Sequence, residues 1–200
     1  MTEFIQSLSS AAPVPGGGGA SALIGSIGAA LCSMAARLTS GKKRYALYQA
    51  DIEEALQRSD ASMHQLMKLA QKDAEAFEPL ARAYGIPKND PNREAVLESA
   101  LVRACAAPLE MLEEIDKLSD VLDVLAAKCS RLTVSDVGVA AAALRAAAEG
   151  AALNVYINTK GMRNRPDAPE MNRKAAAFIE CIVPKCESVY SRVREGLMTS

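Results

Sequence analysis

Two stretches of this chain are built almost entirely from small side chains, and each is long enough to be a helix. The first, Ala20 to Ala36, has no charged residue and includes Ala22, Gly25, Ser26, Ala29, Ser33 and Ala36. The second, Ser135 to Thr159, contains Ala140 to Ala143 and Ala146 to Ala152 with few interruptions. Small residues let helix axes approach towards the short end of the ~8–10 Å packing range. Both stretches are too apolar to lie on a surface. The remainder lacks alternating β-branched runs and is dominated by Ala, Leu, Met, Glu and Lys, so strands are not expected. The expected fold is all-α: one domain over residues 1–200, a helical bundle whose long Ala/Gly-rich helices sit centrally, wrapped by more amphipathic ones.

The other helices are placed by their breakers and caps. A short helix is expected over residues 2–10, and Ala11 to Gly19, with two prolines and four consecutive glycines, is a breaker. The first small-residue helix should run from Ala20 to Leu38, with Gly41 as its stop. A second long helix is expected from Tyr48 to Tyr84, ended by Gly85 and Pro87. A third runs from Asn92 past a kink at Pro108 to Leu118, and Ser119 caps a separate shorter helix to Lys128. Ser135 is the expected N-cap of the next. Gly161 to Pro169 reads as a loop, and the last helix spans Pro169 to Met198 with a kink at Pro184.

Composition narrows the function classes. Twenty-three basic residues balance 24 acidic ones, so the basic stripe that nucleic acid requires is not indicated. Aromatics are 4% and there is no Trp, which removes stacking platforms for bases. Five cysteines, an odd number without a CxxC, and a single histidine, His64, suggest neither a disulfide framework nor a metal centre. They read as small buried hydrophobes in a reducing, cytoplasmic setting. Ala20 to Ala36 is at the short limit for crossing a bilayer and is diluted by Gly25, Ser26, Gly28 and Ser33, so a core helix is expected and no membrane association. The opening MTEFIQ lacks the basic start of a signal peptide.

Four features carry chemistry. Pro13-Val14-Pro15-Gly16-Gly17-Gly18-Gly19 sets a glycine loop before a helix start, where unsatisfied N–H groups and the helix dipole favour an anion. It is a ligand cradle or a flexible turn; no strand precedes it, so a dinucleotide fold is not supported. Asp73 shares a face with Leu66 and Leu80 and so interrupts an apolar stripe. It is either paired with a cation or an acid–base group with a raised pKa. Ser135 and Asp136 cap or charge a helix start, or act on a ligand. Asn154 and Asn158 lie four apart further along that helix, but ~27 Å separates Asp136 from Asn154 along its axis. Either one of them is structural, or an elongated ligand or a partner subunit bridges them. Lys42-Lys43-Arg44-Tyr45 is a solvated surface run or a receiver for an acidic ligand tail.

The segments PVPGGGGASALIGSIGAALCSMAARLTSGKKRY, DAEAFEPLARAYGIPK and SDVGVAAAALRAAAEGAALNVYIN together resemble the cyclodeaminase/cyclohydrolase family, in order and spacing, over most of the chain. The resemblance implies an all-helical, homodimeric enzyme of tetrahydrofolate one-carbon metabolism. The implied reaction is either water adding to the methenyl bridge of methenyltetrahydrofolate, or closure of that bridge from a formimino group with loss of ammonia. The absence of a transferase portion leans towards the hydrolase. The resemblance implies no metal and no cofactor beyond the folate substrate. On this reading Asp73 and Asp136 are the candidate catalytic carboxyls. Gly16, Gly17, Gly18, Gly19, Lys42, Lys43, Ser135, Asn154 and Asn158 are the candidate substrate contacts, with the lysines meeting the folate's acidic tail. The alternative is a non-catalytic helical dimer that keeps the scaffold for folate binding or assembly. One departure is visible: Lys128 to Thr133 stands where relatives often carry a Gly-Asn turn, and substrate preference could shift if that turn shapes the pocket.

Overall fold

A computed structural model describes residues 2–162 and 166–199. Six α-helices follow one another: α1 (Thr2–Leu8), α2 (Gly17–Arg37), α3 (Gln49–Tyr84), α4 (Arg93–Lys128), α5 (Val134–Lys160) and α6 (Asp167–Met198). Short 3₁₀ turns at Lys43–Tyr48 and Arg131–Thr133 join α2 to α3 and α4 to α5, and no strand occurs among the described residues. The all-α expectation holds.

α4 is the helix that meets all four other long ones. Its sequence shows why. Leu101, Met111, Leu112, Ile115, Leu118, Leu122 and Leu125 follow a helical period and are fully buried, each contributing about 1.5–3 kcal/mol of burial. That stripe continues through Ser119, so the separate helix expected from Ser119 to Lys128 does not form. The Ser119 hydroxyl donates to the Asp116 carbonyl one turn back, at 2.6 Å, and the helix runs on. Pro108 sits inside α4. Proline has no N–H, so the carbonyl of Ala104, four residues earlier, loses its helical partner. The side-chain amide of Asn158 on α5 donates to that carbonyl at 3.1 Å, repairing the break from a neighbouring helix.

The two small-residue helices pack against each other and share the core. The approach is close: a β-carbon on Gly28 would lie 2.8 Å from Leu144, and one on Gly150 would lie 2.4 Å from the Ser21 hydroxyl. α2 is long and apolar enough to cross a membrane by composition alone, yet most of it is buried against α3 and α5. It is not wrapped on every side as expected. Ile24, Ile27, Met34 and Leu38, 37–48% exposed, form with Leu31 an apolar stripe facing outward. α5 likewise leaves Val139, Leu153 and Ile157 exposed.

Several boundaries differ from expectation. α2 begins at Gly17, so three of the four glycines belong to the helix rather than to a loop. α5 begins at Val134 with Thr133 as its N-cap and no side-chain cap; Ser135 is already inside and exposed. α6 begins at Asp167, so the loop expected from Gly161 to Pro169 is shorter, and its residues 163–165 lie outside the described residues. Gly41 does end the first corner, at a φ of +73° that a side chain would resist. Four cysteines are buried as expected, but Cys181 is exposed on α6.

Candidate functional site

The first turn of α2 carries no side chains beyond hydrogen at Gly17, Gly18 and Gly19, so another group can approach its free N–H donors directly. The carboxyl of Asp73 on α3 does so. A β-carbon on Gly18 would stand 2.4 Å from both carboxyl oxygens. The requirement for glycine here is steric rather than conformational, since Gly41 has the single positive φ among the described residues. Asp73 is half-buried between Leu66 and Leu80, both buried, as its heptad position requires. Burial pushes its pKa above the ordinary 3.8, partly offset by the nearby Gly19 backbone N–H. No cation forms a salt bridge with it among the described residues; its neighbour Lys72 pairs instead with Glu110. Among the described residues, then, the structural ion pair that is the alternative reading of Asp73 does not form.

Asp73 lines a cavity of about 260 Å³ together with Gly16, Gly17, Gly18, Phe77, Tyr84, Asn154 and Asn158, among others. α5 supplies both amides, one turn apart. Asn154 uses one N–H on the Gly150 carbonyl of its own helix, at 2.8 Å, and comes within 3.4 Å of where a Gly17 β-carbon would sit. Asn158 uses one on Ala104. Each keeps an amide oxygen and a second N–H. The cavity therefore holds one protonatable carboxyl, two fixed amides and a helix start, which suits proton transfer beside a carbon that gains a polar substituent. Gly19 is not in the lining; it packs towards Pro15 and Phe4, and its N–H lowers the Asp73 pKa somewhat from nearby.

The other predicted residues lie elsewhere. Asp136 and Ser135 are at the start of α5, ~27 Å along the helix from Asn154. Lys42 and Lys43 follow the far end of α2, whose 21 residues span ~31 Å. Within one chain, neither carboxyl pair nor lysine tail-receiver converges on Asp73. That far corner is tied to itself. Thr39 accepts the Ser130 N–H at 2.8 Å, Lys42 reaches the Ser130 hydroxyl at 3.4 Å, and the Tyr45 hydroxyl accepts the Arg131 N–H at 3.2 Å. That last bond holds the Tyr45 hydroxyl below its ordinary pKa. The unusual Lys128–Thr133 segment belongs to this corner, so it does not shape the Asp73 cavity. Sequence reasoning missed Tyr84 and Phe77 as lining residues; their one-turn spacing from Leu80 and Asp73 was the available signal.

Residues 1–177 match the family model described as formiminotransferase-cyclodeaminase. The chain belongs to that family. It is 36% identical over 195 residues to the methenyltetrahydrofolate cyclohydrolase of Methylorubrum extorquens, covering 96% of this chain and 94% of that protein. It is 34% identical over 164 residues to the formimidoyltransferase-cyclodeaminase of Rattus norvegicus, covering 80% of this chain but 30% of that longer protein. A crystal structure of formiminotetrahydrofolate cyclodeaminase from Thermotoga maritima superimposes with a TM-score of 0.84 at 27% identity, covering 99% of this chain and 96% of that one. The expected membership and the all-helical fold it implied are both met by these relatives.

Proposed function

We propose that this folate one-carbon enzyme is a methenyltetrahydrofolate cyclohydrolase, with Asp73 as its acid–base group. The observation that carries the reading is the half-buried Asp73 carboxyl, without a salt bridge among the described residues, set against the bare first turn of α2 in a cavity with Asn154 and Asn158. In the forward reaction the carboxylate takes a proton from water as its oxygen bonds to the methenyl carbon. The resulting tetrahedral carbon is held between two nitrogens and a hydroxyl. Asp73 then returns the proton to N5 as the C–N5 bond breaks, and the hydroxyl proton leaves as the formyl group forms on N10. The cyclodeaminase reaction passes through a tetrahedral carbon of the same kind with an amine in place of the hydroxyl, so one carboxyl serves either chemistry. Both add to and eliminate from one carbon with accompanying proton transfers and no change of oxidation state, so we propose no metal and no cofactor beyond the folate. The relative that matches end to end, a cyclohydrolase, favours hydrolysis over deamination.

A homodimer formed on the α2 stripe is part of this reading. Ile24, Ile27, Leu31, Met34 and Leu38 recur at three- and four-residue spacing on an uncharged face. That is the pattern of a helix seam. A cytoplasmic location fits five cysteines that are all free thiols.

Methenyltetrahydrofolate has a near-ultraviolet band that disappears on hydrolysis and appears on cyclodeamination. Purified protein should abolish the band. A protein that left it intact yet generated it from the formimino substrate, with ammonia, would be a cyclodeaminase instead. Light scattering at micromolar concentration should give twice the chain mass, and Ile27→Glu should give the chain mass; a monomeric wild type would remove the dimer.

A further inference from the structure

The Asp73 cavity, at about 260 Å³, is below the ~300–1,000 Å³ that drug-sized ligands occupy. That volume is room for the reacting end of a folate, with the remainder of the molecule outside. A second cavity, of about 650 Å³, begins where the first ends: Tyr84 lines both. It lies between the α3–α4 turn and the end of α5, and Lys160 follows Asn158 by two residues.

Three cations line it: Lys88, Arg93 and Lys160. Arg93 is held in place by a hydrogen bond from its Nε to the Ile86 carbonyl at 2.9 Å, which leaves the rest of its guanidinium to bond outward. Neither Lys88 nor Lys160 forms a salt bridge among the described residues, whereas most charged side chains elsewhere on the bundle do. Three carboxylates share the cavity, and each is already engaged. Asp90 accepts the Asn92 N–H at 2.8 Å, and Glu94 and Glu98 have partners of their own. The lining is formally balanced, three cations against three carboxylates, and the charged groups in it without an ion-pair or hydrogen-bond partner among the described residues are the Lys88 and Lys160 ammoniums.

We infer that Lys88, Arg93 and Lys160 form the subsite for the carboxylates of the folate's glutamate tail, reached past Tyr84. The inference rests on the folate reading above and replaces Lys42 and Lys43, at the far end of α2, as the tail receiver. The cavity that holds Asp73 meets, at Tyr84, the one that holds the three cations. A ligand with its one-carbon unit at Asp73 therefore points its acidic end into this cavity without leaving the chain.

The test is calorimetric binding of tetrahydrofolate carrying one and three glutamates, to wild type, to Lys88→Ala/Lys160→Ala and to Lys42→Ala/Lys43→Ala. Both lysines of the first pair are exposed, so folding should not change, and a melting curve checks it. Binding alone is read, so the result does not depend on which reaction the enzyme performs. Wild type should bind the triglutamate more tightly, with a Kd that rises with salt. Each lost lysine should weaken it by about 1.4- to fivefold, the range of an exposed ion pair, and the preference for three glutamates should shrink with it. An unchanged preference in Lys88→Ala/Lys160→Ala, its loss in the Lys42/Lys43 variant instead, or a wild type indifferent to tail length would each overturn the assignment. Failure to turn over methenyltetrahydrofolate, with tail-dependent binding intact, would count against the hydrolase reading and not against this subsite.

Discussion

The two ends of the α2–α5 pair are made from similar ingredients and do different things with them. Each has a carboxyl near a helix start: Asp73 beside the first turn of α2, and Asp136 inside the first turn of α5. Each has polar side chains at hand. At the Asp136 end they satisfy one another, through Thr39, Ser130, Lys42, Tyr45 and Arg131. At the Asp73 end they do so only in part, and the remaining donors and acceptors face a cavity. What separates a site from a tied corner here is the glycine run. Bare Gly17 and Gly18 admit a carboxyl from another helix, whereas α5 begins Val134, Ser135, Asp136 and supplies its own anion from within.

Asp73→Asn should test that contrast hardest. The amide keeps the shape and cannot exchange a proton, so kcat should fall by ~10²–10⁴-fold, the usual contribution of an acid–base group. Stability should move the other way. The pKa of Asp73 is raised in the folded state. Between the ordinary carboxylate value and the raised one, the folded protein binds more protons than the unfolded one, so stability falls as pH rises through that window. The Asn variant lacks this slope and should melt at the same or a higher temperature at neutral pH. Wild-type turnover in Asp73→Asn would make the residue structural.

Gly18→Ala follows in size. Its β-carbon meets the tip of a short side chain rather than backbone, so Asp73 can swing away and the fold survives. Ala is the better helix former by about 1 kcal/mol, which offsets part of the clash. Activity should therefore drop by roughly an order of magnitude, in keeping with the steep cost of misplacing a reacting group by an ångström, while the melting temperature moves little. Unchanged kinetics would mean that the contact between the first turn of α2 and Asp73 does not position the carboxyl.

Asn158→Ala should instead register in stability. It removes the donor that serves the Ala104 carbonyl opened by Pro108. A buried acceptor left alone costs about 1–3 kcal/mol, readable as a lower denaturant midpoint. If stability did not change, water would be replacing the amide and Asn158 would be free to act on ligand alone.

The legible part of the molecule was whatever local pattern decides. Heptad spacing put Asp73 on the buried face of α3, and four-residue spacing put Asn154 and Asn158 side by side on α5. The 18-residue gap to Asp136 already exceeded what one small site spans. What local pattern does not decide was harder. Ser119 has the chemistry of a cap, but the apolar stripe from Leu112 to Leu125 outweighed it and kept α4 whole. The glycine run looked like a loop because its propensity for helix is poor; packing of α2 on α3 and α5 draws Gly17 to Gly19 into the helix regardless. The pairing of Asn158 with the gap behind Pro108 joins residues 50 positions apart, and no single segment contains it.

Asp136→Asn carries the smallest expected effect and sharpens the comparison most. As an acidic residue in the first turn of α5, Asp136 interacts with the helix dipole, worth about 0.3–1 kcal/mol. The Asn variant should lose that much stability and keep turnover within about threefold of wild type, a free-energy change of roughly 0.65 kcal/mol. A loss comparable to that of Asp73→Asn would contradict the separation of the two ends within one chain. It would also say where the ends meet, because only a second copy could bring an α5 start to the glycine turn. Mixing inactive Asp136→Asn with inactive Asp73→Asn would then restore activity in the mixed dimers, each having one site with both carboxyls intact. Recovery on mixing would move Asp136 into a shared site; loss without recovery would mean that damage at the α5 start spreads along the helix to Asn154 and Asn158.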